Sequence, residues 1–185
     1  MDLVSSSDVG PASLDRMARE GILVPLGPEF GAPVDLPVIP ADRARPLAGF
    51  VPGHTVVSGL AGLWIRTGGY RPRTLDLIGV RGLHRLPPGC HPPGWIVRFH
   101  SGAAALEPSD SFHGIRVAGP ARCAVDSLRW GDLGQAIPTV VAGLRGGTVR
   151  RAEVTAIVAG ESRRGAGATR LRNAWAAIEE ALRAA

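Results

Sequence analysis

The sequence predicts an α+β fold, in which a truncated winged-helix-like N-terminal segment precedes an α/β domain with a small mixed sheet and a helical C-terminal half. Residues 11–30, PASLDRMAREGILVPLGPEF, read as a short helix followed by a strand and a turn. Apolar strand patterns recur between residues 73 and 119. Helical patterns then occupy the chain from residue 120 onward.

The N-terminal segment, assigned to residues 1–45, contains the helix at 11–20. Pro11 suits the first helical position, and Leu14 lies on the face predicted to point inward. Arg16 and Arg19 lie on the opposite face, where they are candidates for contact with DNA. A helix, a tight turn and a strand pair form the end of a winged helix-turn-helix. Because only ten residues precede the helix, the module is predicted to be truncated, with VDLPV as a wing strand.

The second domain, assigned to residues 50–185, begins with the segment VVSGLAGLWIRTG. Ser58 is the predicted N-cap of a helix that is apolar on nearly every side, and such a helix is buried. Strands are predicted at 73–80, 95–101 and 114–119. Helices are predicted to begin at Pro120, after the cap Asp132 and after the cap Thr148. The last helix, from residue 169, has the clearest apolar stripe, which contains Leu171, Trp175, Ile178 and Leu182.

Composition excludes several functional classes. All 21 basic residues are arginine, so a P-loop, a Schiff-base enzyme and a nuclease site with a catalytic lysine cannot be built here. A net charge of +5 over 185 residues is modest. No apolar run approaches the roughly 18–20 residues that span a bilayer, and no export signal is recognisable. Two cysteines imply no disulfide framework, so we expect a cytoplasmic protein. Because no apolar run is long enough to span a bilayer, we expect no membrane partner.

No motif predicts catalysis, a metal or another cofactor. Cys90 and His91, with His84 or His100, match no closed zinc site, and we interpret them as part of a proline-rich loop. Ser58 lacks the G-x-S-x-G context of an exposed nucleophile, which favours the helix cap. The protein is therefore not expected to be an enzyme.

Two further patterns contain arginine. Arg122 and Asp126 are four residues apart, which predicts a surface ion pair worth a few tenths of a kcal/mol. Arg163, Arg164 and Arg170 lie in or beside the loop GESRRGAGATR, which precedes a helix N-terminus. Such a loop is either a solvated basic turn or a contact for a phosphate group or a protein partner.

Two segments resemble a known family, the AbiEi-like antitoxins of actinobacterial abortive-infection (type IV toxin–antitoxin) systems. VVSGLAGLWIRTG (56–68) stands in the place of the family pattern "vvSh.sAa.lhG". IRVAGPARCAVDSL (115–128) stands in the place of "v.vts..rT..Dla", with Cys123 and Ala124 in the region of the usual threonine. Gly59 replaces the small polar residue or histidine expected after Ser58.

The resemblance implies a winged-helix DNA-binding N-terminus, an α/β antitoxin domain and no enzymatic activity. Antitoxins of this family repress their own operon and neutralise a nucleotidyltransferase toxin, so the expected partners are promoter DNA and such a toxin. An interaction module without specific DNA binding is the alternative function. The third functional hypothesis is an unrecognised hydrolase.

Overall fold

The structure is a computed structural model, which describes residues 3–79, 86, 91–102, 109–161 and 167–184. The fold is mixed α+β, with two small sheets and a helical C-terminal half, as the sequence predicted. The strands are β1 (Val4–Ser5), β2 (Leu23–Pro25), β3 (Phe30–Pro33), β4 (Val56–Ser58), β5 (Thr74–Gly79), β6 (Ile96–Ser101), β7 (Ser109–Phe112) and β8 (Ile115–Ala118). The helices are α1 (Ser6–Val9), α2 (Pro11–Arg19), α3 (Pro40–Ala44), α4 (Gly59–Thr67), α5 (Pro120–Trp130), α6 (Leu133–Arg145), α7 (Arg151–Gly160) and α8 (Ala168–Ala184).

The N-terminal sheet has three antiparallel strands in the order β1-β3-β2. The helix predicted at 11–20 is confirmed as α2, and Leu14 is its buried residue. The structure adds β1 and α1 upstream, which the sequence reading missed. The wing strand predicted at VDLPV is wrong, because the strand that pairs with β2 is Phe30–Pro33 and Asp35 lies in the turn that follows.

The central sheet has five strands in the order β6-β5-β4-β8-β7 and mixes parallel and antiparallel pairs. β4 lies in the middle, antiparallel to β5 and parallel to β8. The three predicted strands correspond to β5, β6 and β8. β4 and β7 were not predicted, because one is only three residues long and the other, SDSF, has little apolar alternation.

α4 and α5 pack on this sheet, and α6, α7 and α8 pack in turn on α5, around one main core. α4 is buried along nearly its whole length, as its apolar composition predicted. α4 crosses α5 closely at Gly62, where a Cβ would collide with Sγ of Cys123. The predicted cap Asp132 is confirmed, since its Oδ1 accepts a hydrogen bond of 2.9 Å from the Gly134 amide. The predicted cap Thr148 is wrong, because α7 begins two residues later, after Arg150.

The apolar stripe of α8 faces the core. Leu171, Trp175 and Ile178 are buried, and Leu182 packs at the edge of the core. Periodicity predicted this helix well because all of its large apolar side chains lie on one packed face.

We expect Trp175→Ala to destabilise the protein by about 3–5 kcal/mol, because the side chain is only 4% exposed and truncation leaves a large cavity. Urea titration measures the free energy of unfolding. Glu180→Ala, at an exposed position of the same helix, is the matched control and should change it by less than about 0.5 kcal/mol. A loss below about 1 kcal/mol for Trp175→Ala would contradict the packing described for α8.

Candidate functional site

A buried hydrogen bond joins the β4–α4 junction to α5. Ser58 ends β4 and occupies the N-cap position of α4, as predicted. Its hydroxyl makes no capping bond and instead donates to Oδ2 of Asp126 on α5, at 2.6 Å. Both residues are 0% exposed. The cap prediction is therefore right for the position of Ser58 and wrong for the bond its side chain makes.

Arg122 holds the same carboxylate from the other side. Its Nε donates to Oδ2 of Asp126 at 3.0 Å and its Nη2 donates to Oδ1 at 2.8 Å, in a bidentate pair. Its Nη1 donates to Oε1 of Glu161 at 2.9 Å, and Arg129 donates to Oε2 of Glu161 at 2.8 Å. The predicted ion pair of Arg122 and Asp126 is confirmed, but its predicted location on the surface is wrong, because this face of α5 is covered by β4 and by the end of α7. We call Ser58, Arg122, Asp126, Arg129 and Glu161 the signature cluster.

Burial and charge act in opposite directions in the signature cluster. Burial raises the pKa of Asp126, and the charge and hydrogen bonds of Arg122 offset only part of that effect. Burial alone would lower the pKa of Arg122, but the charge of Asp126, with Glu161 behind it, outweighs burial and raises the pKa. On the same helix, burial raises the pKa of the Cys123 thiol to about 12. A thiol in that state is protonated at neutral pH and is a poor nucleophile.

The geometry of the signature cluster suits the positioning of secondary-structure elements rather than covalent chemistry on a substrate. The Ser58 hydroxyl is buried and donates its hydrogen bond to Asp126, so it is not presented to a substrate. The carboxylate of Asp126 in turn accepts bonds on both oxygens. What the cluster does is fix the β4–α4 junction against α5 and the end of α7.

A second polar cluster lies on β5 and β6. Asp76 is 2% exposed, and its Oδ1 lies 3.0 Å from Nε of Arg98 and 2.8 Å from Nε2 of His100. The ring of His100 stacks on Trp130 with centroids 3.6 Å apart and planes 2° apart. Gly59, with φ +60°, lies against the same carboxylate, where a Cβ would be 3.0 Å from Oδ2 of Asp76. A left-handed conformation and a close contact both favour glycine at this position.

This second cluster borders a cavity of about 290 Å³, near the lower end of the range for small-molecule sites. The lining residues are Leu60, Tyr70, Pro72, Arg73, Thr74, Asp76, Arg98, Gly131, Asp132 and Gln135. Sequence reasoning missed the cavity, although one signal for it was present. Asp76 interrupts the apolar run TLDLIG of a buried strand, and it is in register with Arg98 on the neighbouring strand.

The residues predicted to contact DNA are exposed on α2. Arg16 forms an (i, i+4) pair with Glu20 at 3.8 Å, and Nε of Arg19 donates to the carbonyl of Asp15 at 3.3 Å. Pairs of this kind on an exposed helix face are weak and leave the guanidinium groups available for other contacts. The structure therefore places Arg16 and Arg19 on the solvent face, as the helical spacing required.

Charge is divided unevenly along the chain. Residues 1–45 contain seven acidic residues and four arginines, whereas residues 46–185 contain nine acidic residues and 17 arginines. One of the four N-terminal arginines, Arg43, is buried and donates to the backbone carbonyls of Val38, Ile65 and Arg66. The basic character of the protein therefore lies outside the N-terminal segment.

The predicted phosphate or partner contacts are only partly covered by the structure. Arg170 lies in the first turn of α8, where its Nη2 donates to the carbonyl of Gly131 at the α5–α6 junction. This contact ties α8 to the end of α5. Arg163 and Arg164 lie outside the described residues, so contact of the three arginines with a phosphate or a partner stays a prediction.

The histidines and cysteines within the described ranges form no metal-ligand group of three or more with each other or with acidic residues. His91 is exposed, and His100 is engaged with Asp76 and Trp130. Cys90 and His84, the other residues of the zinc arrangement, lie outside the described residues.

Comparison with known proteins identifies no relative. No family model, no curated protein and no solved structure matches this chain. Within the part of the chain that the structure covers, the helices are all too short or too polar to cross a membrane.

We expect Asp126→Ala to cost about 3–5 kcal/mol of unfolding free energy, because it leaves the buried charge of Arg122 undercompensated. Ser58→Ala should cost about 1–3 kcal/mol through the lost hydrogen bond. The double variant should lose less unfolding free energy than the sum of the two single losses, since both substitutions remove the same contact. Arg150→Ala, which breaks an exposed pair at 3.4 Å, is the control and should cost less than about 1 kcal/mol. Additive costs would mean that Ser58 and Asp126 are not coupled.

We expect treatment with a metal chelator to leave the melting temperature unchanged, because the cysteine and histidine spacing matches no closed zinc site. Differential scanning calorimetry before and after chelation measures this. Stoichiometric zinc in the purified protein, together with a lowered melting temperature after its removal, would refute the prediction.

Proposed function

We propose that this protein is a non-enzymatic regulator of the antitoxin type. In this proposal it contacts its own promoter DNA through α2 and neutralises a cognate nucleotidyltransferase toxin through the domain that follows. The proposal assigns DNA contact to Arg16 and Arg19, and partner contact to Arg163, Arg164 and Arg170. In this proposal the protein acts in the cytoplasm.

One observation carries the DNA-binding part of the proposal, namely the order of elements around the N-terminal sheet. β1 is followed by α1, α2 and the β2–β3 hairpin, and β3 lies between β1 and β2. A winged helix arranges its second and third helices and its wing hairpin in this order. α2 then stands in the place of the recognition helix, whose exposed face enters the major groove. Arg16 and Arg19 are the cationic side chains on that face.

The signature cluster supports the antitoxin part of the proposal. The two segments that resemble the antitoxin family lie far apart in the sequence, and the structure brings them into one buried contact through Ser58 and Asp126. Arg122 and Asp126 occupy the positions of the arginine and aspartate of the second family pattern. A shared structural role for these residues gives a physical reason why the two patterns would occur together.

A different observation favours the alternative, an interaction module without specific DNA binding. The N-terminal segment is acidic overall, and several large apolar side chains of its hairpin region are exposed, among them Ile22, Val24 and Val34. Acidic side chains oppose the approach of a phosphate backbone, whereas exposed apolar side chains are typical of protein contacts. The two functions differ in whether α2 discriminates one DNA sequence from another.

A gel-shift series should separate these functions. If α2 reads DNA, the wild-type protein will bind its native upstream DNA more tightly than a scrambled duplex, and the double variant Arg16→Ala/Arg19→Ala will lose this preference. Arg150→Ala/Arg183→Ala removes the same charge at two exposed positions, one directly before α7 and one in α8, and is the matched control. It should weaken binding to both duplexes without changing the preference.

The same variants test the second activity. Co-expression with the adjacent gene, scored by growth rescue and co-purification, should show that Arg16→Ala/Arg19→Ala still neutralises the toxin, because that activity is assigned to the other domain. Equal affinity of the wild-type protein for both duplexes at two salt concentrations would exclude sequence-specific DNA binding. Failure of the wild-type protein to rescue growth would exclude the antitoxin role.

A further inference from the structure

Large apolar side chains that are exposed to solvent occur in two regions of opposite charge. Six of them belong to the acidic N-terminal segment, and two belong to the basic part of the chain. Within the described residues they are Val9, Ile22, Val24, Val34, Leu36, Ile39, Tyr70 and Ile96. Single exposed apolar residues are normal, but grouped ones mark contact surfaces.

The first group lies on the β2–β3 hairpin. Ile22 and Val34 are neighbours across the hairpin, where the Val34 amide donates to the Ile22 carbonyl at 3.1 Å. Val24 follows on the same face of the strand as Ile22, because side chains alternate along a strand. Ile22 is 46% exposed, Val24 is 40% exposed and Val34 is 59% exposed. We call these three residues the hairpin patch, and the exposed carboxylates of Glu20 and Asp35 flank it in the sequence.

The second group lies at the edge of the central sheet. β6 is an edge strand, and its first residue, Ile96, is 63% exposed. The Ile96 amide donates to the carbonyl of Arg73 at 2.8 Å, so the two residues are adjacent. Tyr70, 64% exposed, borders the same cavity as Arg73. We call Tyr70, Arg73 and Ile96 the edge patch. The guanidinium of Arg73 has no ion-pair partner among the residues described.

The two patches are complementary, since one is apolar with carboxylates beside it and the other is apolar around the guanidinium of Arg73. We propose that the hairpin patch of one copy of this chain binds the edge patch of a second copy, with Glu20 and Asp35 facing Arg73. This inference concerns self-association and goes beyond the proposed function, which could fail without affecting it.

The position of the hairpin turn favours a reciprocal dimer. Pro28, in the turn, and Arg71 both approach Gly94, where a Cβ would lie 3.7 Å from each of them. The turn therefore lies beside the chain segments that contain the edge patch of the same molecule. Ile22 is about four strand residues from the turn, or roughly 13 Å along the hairpin. Two copies in antiparallel orientation would each place a hairpin patch on the other's edge patch, which closes the assembly around a twofold axis.

Sedimentation velocity across the micromolar concentration range tests the proposal. The wild-type protein should dimerise, and added salt should weaken the dimer because the contacts include charges. Val34→Ser and Arg73→Glu should each weaken dimerisation about tenfold or more. Arg150→Glu makes the same charge change at a 79% exposed side chain on another surface and should leave the dimer unchanged. Circular dichroism and urea titration confirm that each variant is folded.

Mixing the two variants distinguishes this contact from others. Each variant alone has a defect in both reciprocal contacts, whereas one copy of each together has one intact contact and one contact with both defects. The mixed dimer should therefore be tighter than the homodimer of the weaker variant. A wild-type protein that stays monomeric, a dimer that Arg73→Glu does not weaken, or a mixed dimer no tighter than that of the weaker variant would each overturn the proposal.

Discussion

The hydrogen bond between Ser58 and Asp126 is the contact on which the rest of the fold depends. It joins residues 68 positions apart and fixes the end of the central strand β4 against α5. From there Arg122 extends the contact to Glu161 at the end of α7. Because β4 is paired on both sides and leads directly into α4, its position sets those of β5, β8 and α4 together. One buried carboxylate thus orients a sheet and three helices.

Burying that carboxylate is costly, and the surroundings show how the cost is met. Desolvation raises the pKa of Asp126, while a bidentate arginine and a serine hydroxyl supply three hydrogen bonds to its two oxygens. Buried pairs of this kind add little net stability over an apolar alternative, but removing one partner is expensive. The close contact of Gly62 with Cys123 fixes the same pair of helices sterically. The arrangement therefore specifies geometry more than it adds stability.

The sequence predicted those elements whose side chains serve a single local pattern. α4, α5 and α8 were recognised because their apolar spacing or composition is set within the helix. β1, β4 and β7 were missed because two to four residues carry no readable alternation. The burial of Asp126 and the cluster at Asp76 depend on partners more than 20 residues away, Ser58 for one and Arg98 and His100 for the other. Neither arrangement could be predicted from local spacing, although the position of Asp76 within an apolar strand indicated a polar cluster there.

The division of charge decides what a binding experiment on this protein measures. The net charge of +5 is the balance of an acidic segment at residues 1–45 and a strongly basic remainder. Salt-dependent affinity for any polyanion therefore reports mainly the remainder, because each released counterion corresponds to an arginine near a phosphate. α2 carries Arg16 and Arg19, with Asp15 on the same helix and Glu20 directly after it. A contribution of α2 to DNA binding would therefore be measured as a preference for one DNA sequence over another. Strong binding without such a preference would be due to the basic remainder of the chain.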